Sequence, residues 1–274
     1  MKREDITYSN YIRVPELLSL QVPLGNPPEH DEMLFMIVHQ VHELWFKQIL
    51  HEIDAVRATL VEGRPLPALK SLKRIHAIQR LLNQQIEVLE TMTPVDFNAF
   101  RSLFGSASGF QSVQFRCIEV ASGGTDPKLL RPLANLPGMD DLNRRLREPT
   151  LYEALLTHLW RQGRPVPETL LETGATRVTD RPLDEQLIGV FKDVYESASR
   201  GGGHYESFLL LEHLVEYEEL WIGWRHRHIQ MVERTIGAKR GSGGSSGLAY
   251  LRSTLSPRLF PELWAVRSEL GRPA

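Results

Sequence analysis

His30–Arg57, HDEMLFMIVHQVHELWFKQILHEIDAVR, is the stretch on which the fold turns. Phe35, His39 and Phe46 recur at steps of four and seven residues, which places them on one face of a helix. Leu34, Ile37, Val41, Leu44, Trp45, Ile49 and Ile53 spread the apolar surface well beyond a narrow stripe. A helix apolar over most of its circumference is a buried one. His39 therefore sits mid-helix among large apolar side chains. It is either a core histidine satisfied by a neighbour or a histidine that faces an internal pocket, and this stretch alone leaves both open.

Outward from it, GRPLP (63–67) ends the first long helix, and Asp31 is the expected cap at its start. Residues 68–92 follow as a second long helix, with Leu69, Leu72, Ile75, Ile78, Leu82, Ile86 and Leu89 at helical spacing. His76, among basic residues, reads as a solvated surface histidine. Thr93 caps a new start, Pro94 takes the first helical position and Asp96 stabilises the first turn. Shorter helices are predicted at 14–20, in VDFNAFRSLF, FQSVQFRCIEVAS, LYEALLTHLWRQG and DEQLIGVFKDVYESA, and from Leu248 onward. His204–Ile236 is the second dominant helix, with Phe208, Leu211, Val215, Trp221, Trp224, His228, Val232 and Ile236 along one side. Proline-rich 122–149 reads as an irregular insert, 163–183 as loop, and 1–29 as an N-terminal arm. Useful β-alternation is missing throughout. The expectation is one all-α domain over 1–274, a bundle of long antiparallel helices.

Composition narrows the chemistry. With 32 basic and 34 acidic residues the net charge is -2, which offers no argument for nucleic acid. A single cysteine, Cys117, excludes internal disulfides and sites built from several thiolates, and fits a reducing cytoplasm. The first fourteen residues lack the apolar core of a signal peptide, and no apolar run is long enough to span a bilayer.

The histidines match no common metal motif. His42-Glu43 and His51-Glu52 both lack the second histidine of HExxH. Nor is a glutamate found three residues before His39, His42, His51, His213 or His228, which argues against a carboxylate di-iron bundle. P-loop and GxSxG patterns are missing too. Haem remains attractive: facing helices can hold a flat cofactor, one neutral imidazole suffices as axial ligand, and a second can serve the opposite face. Phe35 and Phe46 near His39, and Trp221 and Trp224 near His228, suit a large apolar macrocycle, although such aromatic stripes also build ordinary cores. GSGGSSG (241–247) is a flexible linker by composition, or a nest of backbone N–H groups for an anion. Arg101, before another glycine-serine turn, could supply a guanidinium to the same carboxylate.

Three blocks then converge: HDEMLFMIVHQVHELWFK, the TPxxFxxFRxxxGxxSGFQSxQFRxxE pattern of 93–119, and RHIQMVERTIGAKRGSGGSSG. Together with YSNYI near the N-terminus and LFPELWAVRSEL near the C-terminus, they resemble the tryptophan 2,3-dioxygenase family, in colinear order over nearly the whole chain and most weakly at 122–183. The resemblance implies an all-α homotetramer with haem b, which inserts both atoms of O2 across the indole C2–C3 bond of L-tryptophan to give N-formyl-L-kynurenine. By motif, it implies that His228 is the axial iron ligand, His39 the distal histidine that bonds the indole N–H, Phe35 a wall of the indole pocket, and Arg101 the partner of the substrate carboxylate. It also implies that Tyr8, Tyr11 and Ile12 are lent to a neighbouring subunit's site, and that Ser242 contacts the amino-acid head group where threonine is usual. Phe97 stands where some members have tyrosine. His42 is added where HQTSELW is usual, the run 223–226 departs from the LWRFRH-like pattern, and Ile86 replaces a tryptophan. Relatives in natural-product pathways insert one oxygen atom into substituted tryptophans such as β-methyltryptophan, and these departures keep that alternative substrate open.

Overall fold

The structure is a computed structural model that describes residues 6–124, 133, 136–177, 181–201, 205–239, 241 and 247–271. Among them every regular element is helical. In chain order these are α1 (Tyr8–Tyr11), α2 (Val14–Leu18), α3 (His30–Val61), α4 (Pro65–Leu89), α5 (Pro94–Phe100), α6 (Val113–Ser122), α7 (Met139–Arg145), α8 (Leu151–Arg161), α9 (Glu185–Ser199), α10 (Tyr205–Ile236), α11 (Leu248–Ser253) and α12 (Pro261–Ala265), joined by turns and short 3-10 segments.

Local chemistry explains the boundaries. The Thr93 hydroxyl accepts from the Asp96 amide at 3.3 Å while the Asp96 carboxylate accepts from the Thr93 amide at 3.0 Å, a reciprocal cap that starts α5 as expected. Thr150 and Glu153 do the same for α8. Three expectations are corrected. Glu29 holds the N-cap position of α3 without a side-chain cap bond, and Asp31 lies inside the first turn, where its charge favours the helix N-terminus. α4 starts at Pro65, because a proline at the first helical position costs no hydrogen bond, so GRPLP is partly helix rather than a stop. Within 122–149, where residues 125–132, 134 and 135 lie outside the description, Met139–Arg145 is a helix. Its Arg145 is buried and donates two bonds, at 2.8 and 2.9 Å, to the Asp54 carboxylate on α3.

α3 reverses into α4 through a turn at Gly63, whose φ of 76° is the left-handed conformation that glycine adopts without a side-chain penalty. α10 lies against α4 on the other side. Ile49, Ile53, Val56 and Leu60 of α3, Leu72, Ile75 and Leu82 of α4, and Leu210, Leu211 and Leu214 of α10 are fully or almost fully buried, at i, i+3/i+4 spacing. Truncating any of these leucines or isoleucines to alanine removes about 2–5 kcal/mol.

α4 is thus covered on two sides, and its polar positions are buried too. His76 is 1 % exposed, contrary to the surface reading, and burial pushes its pKa down to about 4. His76 Nε2 lies 3.1 Å from the His213 carbonyl, Gln79 donates to the Tyr217 carbonyl at 2.9 Å and Asn83 to the Leu220 carbonyl at 3.4 Å. Arg227 of α10 then pairs with Glu90 at 2.9 Å. The partners stay about 137 positions apart, so α4 and α10 run parallel. α3 is antiparallel to α10, since His42 meets Trp224 and Phe46 meets Trp221. A second, smaller apolar cluster (Val38, Ile86, Leu89, Met92, Phe100, Met231) joins α3, α4, α5 and α10. No helix among the described residues is long and apolar enough to cross a membrane.

Candidate active site

Between α3 and α10, and lined in part by that second cluster, lies a cavity of about 710 Å³. This lies within the range of pockets that hold cofactors and small substrates. α3 contributes Phe35, His39, His42 and Phe46; α10 contributes Trp224, His228 and Val232; Phe97 and Arg101 come from α5 and the 3-10 turn that follows it. Ser108–Ser112 and the two ends of the glycine-serine segment, Gly241 and Gly247, complete the wall.

The open choice at His39 resolves in favour of the pocket. Its ring is accessible, although protein surrounds it, because the accessible surface faces the cavity. Its Nδ1 lies 2.7 Å from the Phe35 carbonyl, one turn back. A carbonyl only accepts, so Nδ1 carries the proton and Nε2 presents a lone pair. Burial lowers the His39 pKa, which favours the neutral ring. His42 repeats the arrangement one turn on: its Nδ1 lies 2.8 Å from the Val38 carbonyl, and burial lowers its pKa as well. Two neutral imidazoles on one helix face therefore line the same cavity with acceptor nitrogens available.

His228 enters from the opposite helix. Burial first, and then the nearby charges of His39 and His42 in their protonated forms, push its pKa down to about 4. The ring stacks on Trp224 at 5.5 Å with the planes 8° apart. The Trp224 indole Nε1 is itself buried without a hydrogen-bond partner among the described residues. Trp221, expected beside His228, packs instead into the main core.

Aromatic side chains form one end of the cavity. Phe35 stacks on Phe104 at 4.9 Å, lies 5.6 Å from Phe97 and touches the His39 ring at 4.1 Å. Arg101 stands at this end, so a guanidinium borders an apolar slot. At another part of the wall Arg116 and Arg225 both pair with Glu119, at 2.6 and 2.8 Å, and Arg116 also lies over the Phe110 and Phe115 rings. In the sequence Arg116 and Glu119 show only as part of the QFRxxE block and Arg225 only within the run 223–226; the Arg225–Glu119 pairing spans 106 positions.

The structure thus brings Phe35, His39, Phe97, Arg101 and His228 to one cavity. Ser242 lies outside the described residues, although Gly241 and Gly247 on either side of that segment border the cavity. Tyr8, Tyr11 and Ile12 do not line the cavity of their own chain; the two tyrosines are 79 % and 77 % exposed on α1.

Comparison with known proteins gives the family. The sequence model described as tryptophan 2,3-dioxygenase matches residues 1–131 and 159–270. A tryptophan 2,3-dioxygenase of Herpetosiphon aurantiacus is 43 % identical over 267 residues, covering 97 % of this chain and 98 % of that protein. Those of an Arthrobacter species and of Myxococcus xanthus are 42 % and 41 % identical, each over 97 % of this chain and over 93 % and 90 % of their own lengths. With an all-helical fold, histidines facing one cavity from two antiparallel helices, and matches that run almost end to end, the chain belongs to the tryptophan 2,3-dioxygenase family.

Proposed function

We propose that this protein binds haem b through His228 and inserts both atoms of O2 across the indole C2–C3 bond of L-tryptophan, yielding N-formyl-L-kynurenine. The observation that carries this reading is the shared cavity of His39 and His228. The donor set suits haem: a neutral, buried imidazole could hold its iron, and Trp224 beside it offers a flat apolar surface. Haem bound there supplies activation of O2.

The remaining work falls to the side chains. The slot formed by Phe35, Phe97 and Phe104 matches a flat, apolar indole. His39 Nε2 accepts from the indole N–H, which fixes the ring's orientation. Arg101 pairs with the substrate carboxylate, because a charge taken into an apolar site needs a partner. Ser242 is assigned to the amino-acid head group on the family pattern. The same pattern gives a cytoplasmic homotetramer in which Tyr8, Tyr11 and Ile12 close a neighbouring subunit's cavity. Their exposure, in an arm that also exposes Ile6, Leu18, Leu20 and Val22, supports that assignment.

The test is anaerobic reduction of the haem-loaded protein, addition of O2 and L-tryptophan, and mass analysis of the product. Two added oxygen atoms are expected. One added atom, or turnover only of a substituted tryptophan, would overturn the dioxygenase reading. His228→Ala is expected to abolish the haem spectrum.

A further inference from the structure

Away from the cavity, His76 of α4 meets His213 and Glu216 of α10. His213 and Glu216 are three residues apart, so one helix face presents both. The register of α4 against α10 brings His76 to the same point. Three atoms converge there. His76 Nδ1 is 3.1 Å from Glu216 Oε2, His213 Nδ1 is 3.7 Å from the same oxygen, and the two Nδ1 atoms are 3.4 Å apart. A tetrahedral zinc ion bound at about 2.05 Å separates its ligands by about 3.3 Å. The circle through the three observed atoms has a radius of about 2.0 Å, so an ion slightly out of their plane reaches all three at normal bond lengths.

The hydrogen bonding points the same way. His76 Nε2 lies 3.1 Å from the His213 carbonyl, a group that can only accept. If Nε2 carries the proton, the Nδ1 lone pair faces the Glu216 carboxylate, another acceptor. If Nδ1 carries it, the Nε2 lone pair faces the carbonyl. A neutral ring therefore always leaves one unfavourable contact, which a cation on Nδ1 removes. A carbonyl on the far nitrogen is also the usual outer partner of a metal-bound histidine. His76 is buried, whereas the His213 and Glu216 side chains are 26 % and 36 % exposed, which gives an ion a path in and room for a water as fourth ligand. Arg80, which pairs with the other oxygen of Glu216, and Lys73 oppose a cation, and Glu212 favours one.

We propose that His76, His213 and Glu216 form a binding site for a divalent transition-metal ion of the zinc class, separate from the haem cavity and bridging α4 to α10. Two imidazoles and one carboxylate select zinc or its neighbours over calcium or magnesium.

The experiment uses full-length, haem-loaded protein, stripped with chelator and dialysed against zinc chloride. Bound zinc is counted by plasma mass spectrometry and located by anomalous diffraction at the zinc edge. One zinc per chain at this triad is expected, with a melting temperature several degrees above that of the stripped protein. His213→Ala and Glu216→Gln should each weaken zinc binding by more than about 100-fold, since loss of an outer partner alone costs 10–100-fold. Their haem content and Soret band should stay unchanged. Zinc uptake equal in wild type and both variants, or an anomalous map without a peak between these three side chains, overturns the proposal. If the variants fail to fold, the wild-type map alone decides.

Discussion

Replacing His39 with alanine removes one acceptor from the cavity and the ring contact with Phe35. The Phe35 carbonyl retains its intrahelical bond to the residue-39 amide, so α3 keeps its course. What changes is the environment of the indole N–H. In the role proposed for His39 it meets the Nε2 lone pair, whose availability follows from the 2.7 Å contact of Nδ1 with the Phe35 carbonyl. In the variant a buried donor is left unpaired, which costs about 1–3 kcal/mol, or about five- to 160-fold in affinity. The assay is spectral titration of the haem-loaded protein with L-tryptophan and with its benzofuran analogue, which has the same shape but carries oxygen in place of the N–H. Wild-type protein should prefer tryptophan by a factor in that range, and His39→Ala should erase the preference. The pH dependence has a definite sign. Burial holds the His39 pKa below its usual value of 6.5, so the acceptor form persists through neutral pH. The preference is then lost only on acidification below 6.5, when Nε2 gains a proton and faces the N–H as a second donor. A His39→Ala protein that still discriminates fully between the two ligands refutes the role.

Arg101→Ala should raise the Kd for tryptophan at least about tenfold, as loss of a charge-assisted bond costs about 1.5–3 kcal/mol, while haem affinity stays within twofold; equal losses would contradict its assignment. Removing residues 1–12 should depress turnover and leave haem uptake intact, and steady-state kinetics with a haem titration on the same sample decide it. Glu218, buried on α10, accepts from the Leu259 and Phe260 amides at 2.6 and 3.3 Å and from the Trp264 indole at 2.8 Å. Glu218→Ala strands those donors and should lower unfolding free energy by about 3–5 kcal/mol, read from the denaturant midpoint. Burial also raises the Glu218 pKa, so Glu218→Gln should cost less than alanine.

Much of this was visible in the chain itself. The periodicity around His39 and His228 identifies two buried helices, and the Thr93-Pro94-Asp96 run marks the start of α5, because both signals depend only on neighbours in sequence. His76 shows where such reasoning stops. Its basic neighbours suggest a solvated face, but α4 is covered by α3 on one side and by α10 on the other, and the second cover lies 137 positions away. The same separation hides its meeting with Glu216. Pro65 misleads in the opposite direction, since proline that ends one helix is equally suited to open the next. Tyr8, Tyr11 and Ile12 carry a family pattern that a single chain does not bring to the cavity.

The rungs between α4 and α10 have a mechanical meaning. From His76–His213 to Glu90–Arg227 they pin two parallel rods over fourteen residues, about 21 Å of helix. Sliding by a single turn would break every rung together, so α10 holds His228 as part of a stiff beam rather than a hinged arm. The beam keeps the His228 imidazole at a constant depth in the cavity, and the short α5 is one of the lighter of its described borders.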